Sequence, residues 1–388
     1  MDLELTDAQQ LIIANVRRFI RDEIRPLEAD LDPDAYSLKP DDKDRLVAMV
    51  KEMGLYQMDV PEEYGGPGVD TVTRTLVAEE LSQHRAGLYA PAYGTFGSGP
   101  PAQLYGGSDF LKEEYLWPSI RGEKSGFFGL SEPSGGSDPA RAIQTRGVRD
   151  GDEWVINGRK LWNSGADTAD YGVVYVRTDP SKGRQGITAF VIDTDTPGFR
   201  VERLVQVLRA HYTTELSFTD MRVPHQNILG EEGGGFALAN DQLSRNRIPY
   251  SSACLGVAVY ANELAVEWSK QRVTFGEPLA NRQAIQWMLV DNEIDIRSGR
   301  WLALDAAARV ERGDDFRFEA SMAKLICTEG AGRVVDRCMQ IYGGLGMSKD
   351  MPFERWYREL RIRRVGEGPS EVQRIVMARD ILNVRSGS

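Results

Sequence analysis

The sequence predicts an α+β protein in which a small β segment is inserted between two helical ones. Three observations carry this. Apolar residues recur at helical spacing through the first third of the chain, short strands follow from about Gly126, and long helical patterns return beyond Phe236. A chain of 388 residues is too long for one ordinary core, so two or three domains in one compact subunit are expected. The expected limits are 1–122 (helical), 123–236 (β) and 237–388 (helical).

The first element starts at Thr6 and Gln9, a capping-box pair, and continues through Leu11, Ile12, Val16, Phe19, Ile20 and Ile24. A second helix is expected after Pro40-Asp41, stopping at Gly54. The turn-rich run Pro61–Gly68 precedes a third, from about Thr71 to Ser82. In the middle segment Trp154-Val155-Ile156 leads into Asn157-Gly158, a hairpin-type dipeptide. Further strands are expected over 173–176, 187–192 and 216–219, separated by Gly, Pro and Asp as in a sandwich or barrel. The glycine run 230–235 reads as a boundary. Helices are then expected over Ala253–Trp268, Arg282–Arg312, Phe316–Tyr342 and Pro369–Leu382.

Composition narrows the function classes. A net charge of −11 argues against nucleic acid and anionic membrane as main partners, since both repel an acidic surface. No apolar run reaches spanning length, and the acidic start Met1-Asp2-Leu3-Glu4 is unlike a targeting peptide. Cys254, Cys327 and Cys338 are isolated and read as reduced core residues of a cytoplasmic protein. His84, His211 and His225 are too scattered for a His-rich metal site, so no metal is expected.

The common nucleotide and hydrolase fingerprints are missing, and two dense constellations remain. In Gly129–Asp138, glycines beside hydroxyls free the backbone to approach a ligand; the plainer reading is a surface loop. In Gln340-Ile341-Tyr342-Gly343-Gly344-Leu345-Gly346, glycines cap a helix or admit a phosphate or adenine. A basic helix with Arg355, Arg358, Arg361, Arg363 and Arg364 follows, then Val365-Gly366-Glu367-Gly368-Pro369-Ser370-Glu371. Glu367, between two glycines, is either a carboxylate turned into a pocket or a solvated loop residue.

These two stretches resemble the signature motifs of the acyl-CoA dehydrogenase family, and the resemblance covers essentially the whole chain. In the second, Gly343, Gly344, Gly346, Asp350, Arg355 and Glu359 stand at the family's spacing. The resemblance implies a helical N-terminal domain, a central β domain and a C-terminal four-helix bundle, assembled as a homotetramer or dimer around FAD. By similarity, the Phe128–Ser137 loop would bond the flavin, with Leu130, Ser131, Gly136 and Ser137 named for it. Trp162-Asn163-Ser164 match the stretch near flavin N5. Arg272, Phe275 and Gln283 match residues that reach a neighbouring subunit's FAD, and Gln340, Gly343 and Gly344 the segment that meets it. Pro369 and Glu371 fall in the same cofactor-binding stretch.

Glu367 matches the family's catalytic base, which removes an α-proton as hydride leaves the β-carbon for the flavin. Some members carry the base instead before the arginine matching Arg247; that position is Asn246, which cannot serve. Ser137, Arg247, Gly366 and Gly368 match substrate contacts. The implied electron acceptor is electron-transferring flavoprotein. The chain also departs from the family. Gly366 stands where a Tyr is frequent, which predicts open space suited to a branched, cyclic or aryl-substituted acyl group. Pro369 replaces a Thr that helps hold FAD, and Glu371 stands where a neutral residue often sits. Two alternatives remain at this stage: an oxygen-using flavoenzyme on the same fold (an acyl-CoA oxidase or flavin monooxygenase), and a non-catalytic oligomeric binding module.

Overall fold

The computed structural model describes residues 5–208 and 212–383; the acidic start Met1–Glu4 and His211 lie outside the described residues. The described chain forms two compact units, one of residues 5–98, 208 and 244–383 and one of residues 99–207 and 212–243.

The first unit is helical. Helix α1 (Asp7–Phe19) opens on the Thr6/Gln9 capping box, with both reciprocal bonds made. Leu11 departs from its expected place and is 61% exposed, while Ile13 is buried. At about 100° per residue the two positions lie on opposite sides of the helix. Helix α2 (Pro40–Glu52) starts on its proline and ends before Gly54, whose φ of 68° reverses the chain. Asp70 caps α3 (Thr71–Leu81), and Val16, Phe19, Leu46, Val50 and Val77 share one core.

After α3 the chain runs through short 3-10 turns over Pro91–Gly94 and Ala102–Gly106, with Ala92 and Tyr93 at positive φ. Buried Glu28 anchors the first turn. It accepts from the Tyr93 hydroxyl at 2.8 Å and pairs with His84 Nδ1 at 3.0 Å, while Ala92 N–H donates to His84 Nε2 at 2.9 Å. Since Nε2 accepts, Nδ1 carries the proton and the imidazole needs no charge to link the two segments.

Helix α4 (Gly235–Gln271) begins in the second unit and continues into the first. It is followed by α5 (Gln283–Arg312), α6 (Arg317–Tyr342), α7 (Phe353–Arg363) and α8 (Ser370–Ile381). Val257, Ala261, Val334, Cys338, Phe353 and Trp356 pack α4, α6 and α7 together. All three cysteines are free and buried. No helix among the described residues is long and apolar enough to cross a membrane.

The second unit holds β1 (Gly126–Gly129), β2 (Arg146–Asp150), β3 (Glu153–Asn163), β4 (Tyr171–Arg177), β5 (Ile187–Asp193), β6 (Phe199–Gln206), β7 (Tyr212–Pro224) and β8 (Ile228–Leu229). They form one mixed sheet in the order β6-β7-β3-β2-β4-β5-β8, with β1 parallel to β4. β2 and β4 share only the pair Arg146–Arg177. The halves on either side of that junction fill one core: Trp154, Ile156, Leu216 and Phe218 from one, Phe127, Val174, Val176 and Phe190 from the other.

Asn157-Gly158 is not a hairpin. β3 runs through it, and the register against β7 slips between Ile156 and Gly158. Thr145 lies where a Gly158 side chain would go, so glycine serves close packing at a bulge. The reversal sits earlier, at Gly151-Asp152 between the paired Asp150 and Glu153.

Candidate active site

Glu367 lies in the turn between α7 and α8, and its backbone takes a φ of 55°, uncommon for a residue with a side chain. The glycines on either side let the chain reach that conformation, and side chains from three helices hold it there. Arg247 of α4 donates from Nε to the Glu367 carbonyl at 3.3 Å. Gln373 of α8 donates from Nε2 to the carbonyls of Glu367 (3.2 Å) and Gly368 (2.7 Å). Lys324 of α6 donates from Nζ to the Gly368 carbonyl at 2.9 Å and the Arg364 carbonyl at 3.3 Å. With the backbone gripped, the carboxylate is the free end: Oε2 is shut from solvent and has no hydrogen-bond partner. Burial raises the Glu367 pKa, and the charges of Arg247, Arg363 and Lys324 oppose that rise without cancelling it. Burial likewise brings the Lys324 ammonium down to about 8.

Gly366 does not leave the open space expected of it. A side chain there would begin 2.7 Å from the Tyr250 hydroxyl, so Tyr250, from α4, occupies what the glycine vacates. Arg247 is turned inward: it is 5% exposed, and Nη1 donates to Ser321 Oγ at 3.4 Å. Asn246, one residue earlier on the same helix, is half-buried. Pro369 caps α8, Ser370 Oγ donates to Glu329 at 2.7 Å, and Glu371 stands exposed in the first turn.

The arginines of the basic helix divide by partner. Arg355 pairs with Glu359 at 3.0 Å in full burial and donates to the carbonyls of Pro33 and Ala35, while the Tyr36 hydroxyl donates to Glu359 at 2.8 Å. These two motif residues therefore tie α7 to the segment after α1 and are scaffold. Arg358 pairs with Glu354 and Asp34, and Arg364 with Glu329. Arg363 differs: it is 7% exposed, with its guanidinium carbon over the rings of Tyr250 (4.1 Å) and Tyr89 (4.4 Å).

In the β unit, the loop after β1 is pinned from beneath. Lys160, fully buried on β3, donates to the carbonyls of Leu130 (3.2 Å) and Tyr175 (2.7 Å) and pairs with Glu132 at 2.8 Å. Glu132 also accepts the N–H groups of Gln144 and Thr145, and Leu161 N–H donates to the Ser131 carbonyl at 2.9 Å. Leu130 is buried, Phe128 packs against Tyr175 at 5.2 Å, and Gly136 and Ser137 are exposed at the far end, Ser137 with a φ of 66°. A second slip in β3, between Leu161 and Asn163, throws Trp162 outward with a φ of 69° and 54% exposure. Asn163 faces inward, bonded to Thr214, and Ser164 is exposed.

Back in the helical unit, Phe275 and Gly276 form the two-residue tip of a hairpin joining Val273–Thr274 to Glu277–Pro278. Both tip residues have positive φ, the geometry of a tight hairpin turn. Phe275 is 98% exposed, an apolar ring with nothing of its own chain to cover it. Arg272 and Gln283 flank it, both exposed. Gln340, Gly343 and Gly344 are exposed at the end of α6, and a side chain at either glycine would meet nothing within 4 Å. Within the β unit, a bared indole on a bulge and a glycine-rich loop pinned from beneath suit a ligand with a planar ring system, and these residues fit FAD.

Of these features Tyr250, Lys324, Gln373 and Lys160 were not singled out from sequence. Lys324 carried a faint signal, a lone cation inside an otherwise largely buried stretch of helix; Lys160 stands beside Arg159 on a strand of mixed burial and carried none.

Three family models match the chain: acyl-CoA dehydrogenase N-terminal domain over residues 6–123, middle domain over 127–221 and C-terminal domain over 233–382. The human mitochondrial short-chain specific acyl-CoA dehydrogenase is 38% identical over 387 residues, covering 98% of this chain and 91% of that protein. The short-chain specific acyl-CoA dehydrogenase of Clostridium acetobutylicum is 37% identical, covering 97% and 99%. The solved butyryl-CoA dehydrogenase of Megasphaera elsdenii superposes with a TM-score of 0.87 at 34% identity, covering 98% and 100%.

Proposed function

The chain belongs to the acyl-CoA dehydrogenase family of FAD-dependent oxidoreductases, and we propose that in its reaction Glu367 is the base that opens the Cα–Cβ bond of an acyl-CoA thioester to the 2-enoyl-CoA. The carrying observation is a half-buried glutamate whose Oε2 is shut from solvent and has no partner, set on a backbone that side chains from three helices hold still. An α-proton beside a thioester is weakly acidic, so its removal needs a desolvated base within reach, and burial makes Glu367 a stronger base than a solvated glutamate. Bound FAD supplies the two-electron acceptor for the hydride leaving the β-carbon. Arg247, Gln373 and Lys324 orient the turn that carries the base, and Gly368 lets the thioester approach the backbone there.

The residues proposed to hold FAD are the loop from Phe128 through Leu130, Ser131, Gly136 and Ser137, with Trp162, Asn163 and Ser164 beside the ring system. Arg272, Phe275, Gln283, Gln340, Gly343 and Gly344 are proposed to meet the FAD of a neighbouring copy, with Pro369 and Glu371 close by. Ser137, Arg247, Gly366 and Gly368 are the proposed substrate contacts. A homo-oligomer is supported by the exposed Phe275 and by the apolar stripe Trp287, Val290, Ile294 and Trp301 along one face of α5. Electron-transferring flavoprotein is the proposed acceptor. Three free buried thiols suit a reducing compartment, and we place the protein in the cytoplasm. Domain limits of 1–122, 123–236 and 237–388 complete the reading.

The test is anaerobic titration of the yellow protein with saturated acyl-CoAs, alongside Glu367→Gln. Bleaching in the wild type and none in the variant supports both the reaction and the base. A yellow protein that no thioester bleaches overturns them.

A further inference from the structure

We infer that the acyl group this protein takes carries a carboxylate away from the thioester, and that Arg363 receives it. The inference rests on the acyl-CoA reading and adds a substrate class to it. Arg363 is 93% withdrawn from solvent by its 7% exposure, its Nε has no partner, and its guanidinium makes no hydrogen bond or ion pair with any described residue. That sets it apart from Arg355, Arg358 and Arg364 of the same stretch, each paired with a carboxylate of its own chain. A guanidinium that is merely structural would be paired in this way, because a buried charge without a partner is costly.

Geometry gives the unpaired group a setting. Arg363 Cζ lies over the rings of Tyr89 and Tyr250 at 4.4 and 4.1 Å, contacts that use none of its N–H groups as hydrogen-bond donors and so leave them for a planar, two-oxygen acceptor. The Tyr250 hydroxyl stands 2.7 Å from where a Gly366 side chain would begin, so the stack adjoins the turn that carries the base. A neutral acceptor such as a keto or hydroxyl group would meet the same donors but leave the buried guanidinium without a counter-charge in contact with it.

Matched thioester pairs test this on the holoenzyme. Pentanoyl-CoA against glutaryl-CoA, and hexanoyl-CoA against adipoyl-CoA, are compared by stopped-flow flavin reduction, giving a rate constant and a Kd for each. The wild type is expected to bind the carboxylated partner at least tenfold tighter, with the difference mainly in Kd. Arg363→Gln is expected to abolish or reverse that preference, and Arg363→Lys, which keeps the charge but not the fork, to keep part of it. Should Arg363→Gln fail to fold, the wild-type pairs and Arg363→Lys still decide. Neutral chains that bleach the flavin as well as or better than their carboxylated partners overturn the inference and leave the acyl-CoA reading standing. A protein that no thioester of either kind bleaches overturns both.

Discussion

The Tyr250 hydroxyl stands 2.7 Å from the point where a side chain on Gly366 would begin, so the two residues share one volume. A glycine beside the base suggests a wide pocket when read along the chain, and in the fold a residue more than a hundred positions earlier fills it. Gly366→Ala should therefore force Tyr250 from its contact with Arg363 and cost about 1–3 kcal/mol, as overpacking does. Combining it with Tyr250→Phe removes the colliding oxygen, so the double variant should lose less than the two single losses added together. Urea denaturation of the four proteins gives the coupling; strict additivity would mean the two residues do not compete for space.

Glu367 allows a pH prediction with a definite sign. Its pKa is raised by burial, against the pull of Arg247, Arg363 and Lys324. Proton abstraction needs the carboxylate, so flavin reduction should speed up as pH rises through a pKa above the ordinary glutamate value. Stability runs the other way. A carboxyl with a raised folded pKa favours folding below its unfolded pKa and loses that contribution as pH rises through the folded one. Glu367→Gln should then match the wild type near pH 4 and be the more stable protein at pH 7–8, while reducing flavin at least about a thousandfold more slowly. A variant less stable than the wild type at pH 8 would contradict the raised pKa.

How much of this was legible along the chain follows from the range of each interaction. Thr6 and Gln9 signal a cap because the bonds they make span three residues. Glu367 between glycines, and the spacing from Gly343 to Glu359, are local patterns as well. Lys324, Tyr250 and Gln373 could not be read this way, because each matters through a contact with a turn on another helix. Asn157-Gly158 shows the same limit from the other side. The dipeptide is a sound local cue for a turn, yet packing against Thr145 keeps it within a strand. Arg355 and Glu359 were correctly picked out as a motif, but only the fold shows that they bind the scaffold together.

Lys160 is predicted to control the loop it lies under. Replacing it with Met leaves Glu132 buried and without its cation, a loss on the order of 3–5 kcal/mol. Burial pushes the Glu132 carboxyl up, but the charge and hydrogen bond of Lys160 and the bonds from Thr145 and Gln144 outweigh it and hold the group below its usual range. A carboxyl with a depressed folded pKa contributes stability above its unfolded pKa and loses it as pH falls through the folded one. Acid unfolding of the wild type should therefore begin below about pH 4.5, near the ordinary carboxyl value, and move to higher pH in Lys160→Met. Circular dichroism against pH would register the shift. Since Lys160 also holds the Leu130 carbonyl, the variant should release FAD more readily on gel filtration.

The last prediction concerns the apolar surface of the helical unit. Trp287, Val290, Ile294 and Trp301 fall on one stripe of α5, each more than half exposed, and Phe275 at its hairpin tip is 98% exposed. Apolar surface of that extent on a helix calls for a partner surface, and self-association is the economical supplier. Ile294→Glu places a charge in the middle of the stripe, where burial against a second copy would cost several kcal/mol without a counter-ion. Sedimentation velocity should show the wild type as a multimer and Ile294→Glu as a smaller species with unchanged helical content. Phe275→Ala removes only the tip ring, so it should leave the assembly intact and instead weaken retention of FAD. If Ile294→Glu sediments as the wild type does, the stripe is not the contact between copies. If Phe275→Ala dissociates the assembly while keeping its flavin, the hairpin belongs to the subunit interface rather than to the cofactor site.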